Sequence, residues 1–146
     1  MSRVVDVAVE GVRIPVSRAR VAAVAEGVLH AERVRDAMLS VAFVSDRRMA
    51  ALNRRHLGHR GPTDVISFGF EPFDASGDVV GDVYIAPGVA RRNARIAKAS
   101  VREELLRLVV HGVLHVLGHD HPEDDARYGS PMWKRQERLL RALVRS

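Results

Sequence analysis

Four of the seven histidines in this chain fall within eleven residues: His111, His115, His119 and His121. On an α-helix, residues four apart lie on one face about one turn above each other, so His111 and His115 can direct their imidazoles at a single cation. Gly118 can adopt a positive φ without a Cβ clash, which lets the chain leave the helix and fold back. Pro122 favours an extended backbone at the residue before it. We therefore expect His121 to supply a third nitrogen ligand.

This set of ligands predicts a catalytic metal site. Three imidazoles with no fourth protein ligand in the motif are typical of catalytic zinc, because structural zinc sites close all four positions. The chain contains no cysteine, so nitrogen or oxygen would have to hold the ion. Zinc lowers the pKa of a bound water from about 15.7 toward 7 and polarises carbonyl or phosphoryl oxygens. The motif thus predicts one Zn²⁺ per chain and a hydrolytic reaction. We expect His119 to lie at the mouth of the site as a non-ligand, and Asp120 to cap the turn or support a ligand.

The spacing of the three histidines equals that of the metzincin proteases, His-Glu-x2-His-x2-Gly-x2-His. In those proteases the glutamate is the general base, whereas the corresponding residue in this chain is Gly112. Glycine has no side chain that accepts a proton. Peptide hydrolysis by that mechanism is therefore disfavoured, although a carboxylate from elsewhere in the chain could substitute.

The histidine motif lies at the end of a segment that predicts a buried central helix. Ser100 and Glu103 form a capping-box pattern that starts this helix. The residues that follow are apolar on nearly all sides of a helix: Leu105, Leu106, Leu108, Val109, Val110, Val113 and Leu114. Gly118 predicts its end. A last helix begins after Ser130, with Pro131 at the favoured first position.

The segments before this helix alternate between strand and helix patterns. Apolar alternation predicts strands over 5–9 and 39–43, and Ser17 and Ser45 are placed to cap the helices that follow them. Apolar segments at 65–68 and 79–85 predict a hairpin with a turn at Gly77 and Asp78, and a helix follows over 89–99. We expect residues 1–146 to form one α/β (α+β) domain, with a small mixed four-stranded sheet packed with about five helices.

The composition limits the classes of partner and cofactor. A net charge of +5 favours polyanions such as nucleic acid, whereas an aromatic share of 5% argues against an extended base-stacking surface. No stretch approaches the roughly 18 to 20 apolar residues of a membrane-spanning helix, and we see no secretory signal. We therefore expect a cytoplasmic protein with no membrane partner. No GxGxxG or GxxxxGK pattern occurs, so a nucleotide cofactor has no support.

Three segments carry a resemblance to a known family. Residues 111–121, HGVLHVLGHDH, are similar to the signature HGxLHLxGxDH. Leu52-Asn53 followed by PTDVISF at 62–68 is similar to LN and PTDVLSF, and GDVYI at 81–85 is similar to GDI-x-I. These are segments of the YbeY family, bacterial ribosomal-RNA maturation factors described as metal-dependent single-strand endoribonucleases. The resemblance covers residues 40–145 in consistent order.

The resemblance implies a site and a substrate. His111, His115 and His121 would be the ligands of one Zn²⁺, and the loop at Thr63 and Asp64 would line the substrate cleft. The activity implied is cleavage of single-stranded RNA in maturation of the 16S ribosomal RNA 3′ end and in ribosome quality control. Ribosomal RNA, the small ribosomal subunit and ribosome-associated proteins would then be the partners.

The chain departs from the family at the position of an arginine thought to help catalysis. Counting from the Leu-Asn pair, that position holds Leu57. Arg54, Arg55 and Arg60 lie within three residues of it, and a guanidinium can stabilise phosphoryl oxygens through two hydrogen bonds. We assign the catalytic guanidinium to Arg60 and RNA-backbone contacts to Arg54 and Arg55. A smaller departure is Gly69, where the family commonly has proline.

Two other functions stay open at this stage. The chain could be a ribosome-assembly binding factor with a structural zinc and little nuclease activity, an alternative that Leu57 favours. It could also be a small metallohydrolase acting on peptides or metabolites, which the positive net charge and the absence of a glutamate at position 112 disfavour. The three hypotheses differ in which substrates are cleaved and whether a chelator stops the cleavage.

Overall fold

The computed structural model describes residues 2–70, 78–122 and 125–144, which form four strands and five α-helices. The strands are β1 Arg3–Val9, β2 Ala37–Phe43, β3 Val65–Phe70 and β4 Val79–Ile85. The helices are α1 Arg18–Ala31, α2 Asp46–Leu57, α3 Pro87–Ala97, α4 Val101–Val116 and α5 Pro131–Val144. A short 3-10 helix, Asp125–Gly129, precedes α5 and was not predicted from the sequence.

The strands form one mixed sheet in the order β1-β2-β4-β3. β1 pairs with β2, and β2 with β4, in parallel, whereas β3 runs antiparallel to β4. The predicted hairpin and the predicted mixed four-stranded sheet are therefore confirmed. Gly77, which was assigned to the hairpin turn, lies outside the described residues.

Helix α4 is the buried centre of the domain, as its all-round apolar pattern predicts. It packs against α1, α3 and α5 and against strands β3 and β4. Its buried residues are Leu105, Leu106, Leu108, Val109, Val110, Gly112, Val113 and Leu114. A helix held on so many sides gives its C-terminal turns, which carry the histidine motif, a fixed position in the fold.

Serine caps begin three of the helices, as predicted. The hydroxyls of Ser17, Ser45 and Ser100 each accept a hydrogen bond from a backbone N–H in the first turn, at 3.0, 3.1 and 3.0 Å. The predicted bounds of α3 are wrong by two residues at each end. This helix begins at Pro87, because the fixed φ of proline suits the first helical position. It ends at Ala97, because Lys98 adopts a left-handed conformation with φ of 54°.

Two glycines allow α4 to lie directly on strand β4. A Cβ atom on Gly112 would overlap the side chain of Val83, and one on Gly81 would overlap the side chain of Val116 and lie 2.8 Å from the carbonyl oxygen of Phe68. Real Cβ atoms are not found at such distances, so a side chain at either glycine would force the helix and the sheet apart. None of the helices within the described ranges is long and apolar enough to cross a membrane.

Candidate metal centre

Three of the four clustered histidines converge at the C-terminal end of α4. His111 and His115 lie one turn apart on the helix, and His121 faces them from the segment beyond it. Ligand atoms of the three side chains all lie within 4.8 Å of one another. The ring centroids are separated by 4.7 Å, 5.1 Å and 4.9 Å, and all three residues are half-buried. The structure thus brings together the three residues that the spacing predicted.

A tight reversal after α4 returns the chain to the helix. Gly118 has a φ of +98°, and the N–H groups of Gly118 and His119 donate to carbonyls of the last helical turns, each at 3.0 Å. The carboxylate of Asp120 then accepts a hydrogen bond from the N–H of His121 at 2.8 Å. Asp120 therefore caps the turn, one of the two roles expected for it. This reversal is what sets His121 opposite the helix.

Hydrogen bonds orient two of the three imidazoles toward a shared centre. The Nδ1 of His111 lies 2.6 Å from Oε1 of Gln136 on α5, and the Nδ1 of His121 lies 2.7 Å from the carbonyl oxygen of Pro122. Both partners are acceptors, so each Nδ1 carries the proton and each Nε2 keeps a lone pair for a metal. Gln136 is buried and donates through Nε2 to Glu137 at 3.0 Å, which fixes the direction of its amide. This donor set fits a divalent ion such as Zn²⁺.

The surroundings of His111 and His115 also favour the neutral form of these two rings. Burial lowers the pKa of His111, and burial together with the neighbouring imidazoles lowers the pKa of His115 to about 4. Only neutral imidazole binds a metal ion. At pH 7 protons therefore compete weakly with a metal for these two ligands.

His119 belongs to a separate contact. Its Nε2 lies 2.6 Å from Oε1 of Glu32, and the other oxygen of that carboxylate accepts from Arg135 at 2.8 Å. Although burial alone would raise the pKa of Glu32, the hydrogen bonds from Arg135 and His119 lower it. The structure thus places His119 outside the three-histidine cluster, in a contact that joins the end of α4 to α1 and α5.

His111 and His121 line a cavity of about 600 Å³ between α3, α4 and α5. Asp64, which the sequence assigned to the cleft, lines this cavity with His111 and His121. Burial raises the pKa of the Asp64 carboxyl, and hydrogen bonds, including one with the side chain of Thr63, lower it by less. Asp64 therefore lines the same cavity as two of the clustered histidines, and the assignment of Thr63 and Asp64 to a substrate cleft stays a prediction.

Arg107 lines the same cavity, but its guanidinium forms ion pairs with carboxylates of the protein. Its guanidinium lies 2.9 Å from Glu104 and 3.0 Å from Glu137, and Glu103 lies 3.7 Å away. Through Glu137 this network reaches the amide of Gln136 and so His111. Arg107 therefore supports the orientation of the His111 ring.

The arginines singled out in the sequence lie elsewhere. Arg54, Arg55 and Arg60 are exposed, and Arg54 and Arg60 line a separate hollow of about 530 Å³ at the end of α2. Leu57 is 50% exposed on the same helix. The structure does not bring these arginines into the wall of the histidine cavity, and the catalytic assignment of Arg60 stays a prediction. Sequence reasoning missed Arg127, which does line that cavity and follows the histidine motif by only six residues.

We expect Gln136→Leu to weaken zinc binding about 10- to 100-fold, the usual effect of losing the partner of a metal-ligating histidine. Without the amide oxygen, nothing holds the proton on Nδ1 of His111 or fixes the plane of its ring. Competition with a chromogenic chelator at pH 7 measures the effect. Gln136→Glu keeps an oxygen acceptor and is the matched control. Equal zinc affinities for the leucine and glutamate variants would contradict the prediction.

We also expect the metal-free protein to become acid-sensitive through His115. An unfolded histidine titrates near 6.5 and His115 in the fold near 4, so the unfolded chain binds more protons between these values. Stability contributed by the neutral ring is full above pH 6.5 and is lost as the pH falls toward 4. Relative to His115→Asn, the wild type should lose about 1 to 3 kcal/mol in its free energy of unfolding across this window. Urea unfolding in the presence of a chelator measures this loss. If the free energies of unfolding of the two proteins changed in parallel with pH, the prediction would be contradicted.

Comparisons with known proteins agree with the geometry. The family model described as endoribonuclease YbeY matches residues 7–144. An endoribonuclease YbeY from Frankia alni is 43% identical, over 86% of this chain and 74% of the relative, and one from Thermobifida fusca is 38% identical, over 97% and 95%. The solution structure of a Thermotoga maritima protein superposes with a TM-score of 0.61 at 26% identity, over 95% of this chain and 88% of that one.

Proposed function

Because the chain belongs to the YbeY endoribonuclease family, we propose that its three-histidine centre binds one Zn²⁺ and serves the cleavage of single-stranded RNA. Membership of the family makes the protein an endoribonuclease, a hydrolase of phosphodiester bonds. The observation that supports a metal-dependent reaction is the convergence of His111, His115 and His121 within 4.8 Å, with Nδ1 of His111 and His121 at acceptors.

The specific substrate we propose is ribosomal RNA. We propose that the protein matures the 3′ end of 16S ribosomal RNA, takes part in ribosome quality control and works in the cytoplasm with the small ribosomal subunit and ribosome-associated proteins. The similarity of the histidine, PTDVISF and GDVYI segments to the family supports this role. A net charge of +5 supports a polyanionic substrate.

A bound zinc ion would supply Lewis-acid chemistry, activating water and polarising a phosphoryl oxygen. The cavity adds a carboxyl group that can handle a proton. Asp64 lies in the wall of the cavity that His111 and His121 also line, and burial raises the pKa of its carboxyl. We propose that a carboxyl oxygen of Asp64 holds the proton that the departing RNA oxygen receives.

RNA outside the cavity would meet the arginines at the end of α2. Arg54, Arg55 and Arg60 are exposed and can bind backbone phosphates, so we propose them as RNA contacts. Arg60 is also proposed as the source of the catalytic guanidinium. Arg60→Ala separates the two roles: a catalytic arginine lowers the cleavage rate at saturating RNA, whereas a phosphate contact weakens binding and flattens its salt dependence by about 0.7.

A panel of substrates tests the proposed function. The purified chain is incubated with single-stranded RNA, duplex RNA, single-stranded DNA, a peptide and a small ester, each with and without chelator. We expect zinc-dependent cleavage of single-stranded RNA, and of a 16S precursor 3′ end within small subunits. Cleavage that survives complete metal removal would overturn the metal-dependent mechanism. Binding of ribosomal particles without cleavage would favour the assembly factor, and peptide or ester hydrolysis alone would favour the other metallohydrolase.

A further inference from the structure

One wall of the histidine cavity combines a guanidinium with two aromatic rings. Arg127, Tyr128 and Trp133 all line the cavity that contains His111 and His121. The rings of Tyr128 and Trp133 meet edge to face, with centroids 5.0 Å apart and planes at 78°. The guanidinium carbon of Arg127 lies 4.9 Å from the Tyr128 centroid, and its Nη2 donates to the Tyr128 hydroxyl at 2.9 Å. The three side chains therefore form one continuous surface.

The positive charge of Arg127 is available to a ligand. Two arginines line this cavity within the part of the chain that the structure describes, and Arg107 is already paired with Glu104 and Glu137. Arg127 instead donates to the neutral hydroxyl of Tyr128, and it forms no ion pair within the described ranges. Burial raises the pKa of Asp64 and lowers the pKa of His111, and the charge of Arg127 lowers both pKa values. The guanidinium therefore lies within electrostatic range of the centre.

The aromatic part of this wall is open to a flat ligand. Tyr128 is 51% exposed, and Ile96 on α3, which lines the same cavity, is 82% exposed. A cavity of about 600 Å³ is in the range that admits one nucleotide-sized ligand. Aromatic rings bind the faces of unpaired bases, whereas a base inside a duplex has both faces covered by its neighbours.

We propose that Arg127, Tyr128 and Trp133 form a nucleotide subsite beside the three-histidine centre. Arg127 binds a phosphate of the RNA backbone. Tyr128, which Trp133 supports from one side, stacks on the base of one unpaired nucleotide. The choice of RNA as the ligand rests on the proposed function. The subsite adds a reason for a preference for single strands, because a paired base cannot reach Tyr128. It also supplies a guanidinium in the cavity wall, whereas this chain has Leu57 at the position where the family has an arginine.

Trp133 gives a direct readout, because it is the only tryptophan in the chain. Its fluorescence is followed while the full chain is titrated with a single-stranded RNA hexamer, in zinc-loaded and metal-free arms. We expect saturable quenching in both arms, and at least about tenfold weaker binding for a duplex of the same sequence. Quenching in the metal-free arm supports the subsite even if the loaded protein cleaves nothing, so failure of the subsite and failure of the proposed function are distinguishable.

Variants identify the contacts. Tyr128→Ala should weaken binding of the hexamer about tenfold, whereas Tyr128→Phe keeps the ring and should bind nearly as the wild type does. Arg127→Ala should weaken binding and lower the slope of log affinity against log salt by about 0.7, with Arg127→Lys intermediate. Arg138→Ala removes an exposed α5 arginine outside the cavity wall and controls for net charge.

Two results would overturn the proposal. One is hexamer binding, detected by anisotropy of a labelled RNA, that leaves Trp133 emission unchanged. The other is a pair of variants, Tyr128→Ala and Arg127→Ala, that melt like the wild type and bind RNA no more weakly than Arg138→Ala does.

Discussion

Replacing His115 with alanine should abolish both zinc binding and RNA cleavage. His115 is the middle member of the cluster, with ring centroids 4.7 Å from His111 and 4.9 Å from His121. Its pKa of about 4, lowered mainly by burial, keeps the ring neutral and able to bind metal at pH 7. With two ligands left, the zinc content after gel filtration should fall from about one ion per chain to near zero, and cleavage to the background rate.

His119→Ala is the matched control for this result. It removes a histidine four residues further along, whose Nε2 contacts Glu32 rather than the cluster. Glu32 keeps its hydrogen bonds to Arg135, so the fold should tolerate the change. We expect His119→Ala to retain zinc and cleave RNA at a rate close to the wild type. A His115→Ala protein that holds zinc as tightly as His119→Ala would show that the cluster is not the metal site.

Gly112→Glu should prevent folding rather than create a protease. This substitution restores the glutamate of the metzincin motif, but a Cβ at residue 112 would overlap the side chain of Val83 on β4. The residue lies on the face of α4 that packs on the sheet, so a glutamate would also bury a charge. Gly112→Ala alone should lower the free energy of unfolding by about 1 to 3 kcal/mol through overpacking, and the glutamate should cost several kcal/mol more. Urea unfolding measures the alanine variant, and the glutamate variant should show no folded baseline in the same experiment.

A second substitution tests whether the contact with Val83 is the cause. Val83→Ala removes the two methyl carbons that a Cβ at residue 112 would meet most closely and leaves only Cβ at 3.4 Å, an ordinary contact, so Gly112→Ala in that background should destabilise the protein much less. Gly129→Ala, where nothing lies within 4 Å of an added Cβ, should change stability by less than about 0.5 kcal/mol. Additive effects of Gly112→Ala and Val83→Ala would rule out the contact.

Local patterns account for what the sequence predicted. The strands, the serine caps and the buried face of α4 follow from apolar periodicity and capping chemistry, which act over a few residues. The convergence of the three histidines was predictable for the same reason, since helical spacing aligns His111 with His115 and the positive φ of Gly118 returns His121. The start of α3 was predicted two residues too late, because the prediction over 89–99 did not use the preference of proline for the first helical position, which Pro87 occupies.

Contacts between distant segments account for what the sequence did not predict. Gln136 reaches His111 across 25 residues, and this contact depends on how α5 packs against α4. Its burial could be predicted from helical spacing, but its partner could not. Arg127 and Tyr128 lie in a short 3-10 helix without a periodic pattern, so nothing local marked them as part of the cavity wall.

The glycine contacts between α4 and β4 imply that substitutions are tolerated unequally across the protein. Gly81 and Gly112 let the histidine-bearing helix pack directly on the sheet, so a side chain at either position would destabilise the fold. Ile96 and Tyr128, at the rim of the cavity, are largely exposed and can change without such a penalty. Laboratory selection for a new sequence preference should therefore enrich substitutions at the rim and leave the two glycines untouched. The type of reaction would then stay the same in the selected variants, while their preference for RNA sequences changes.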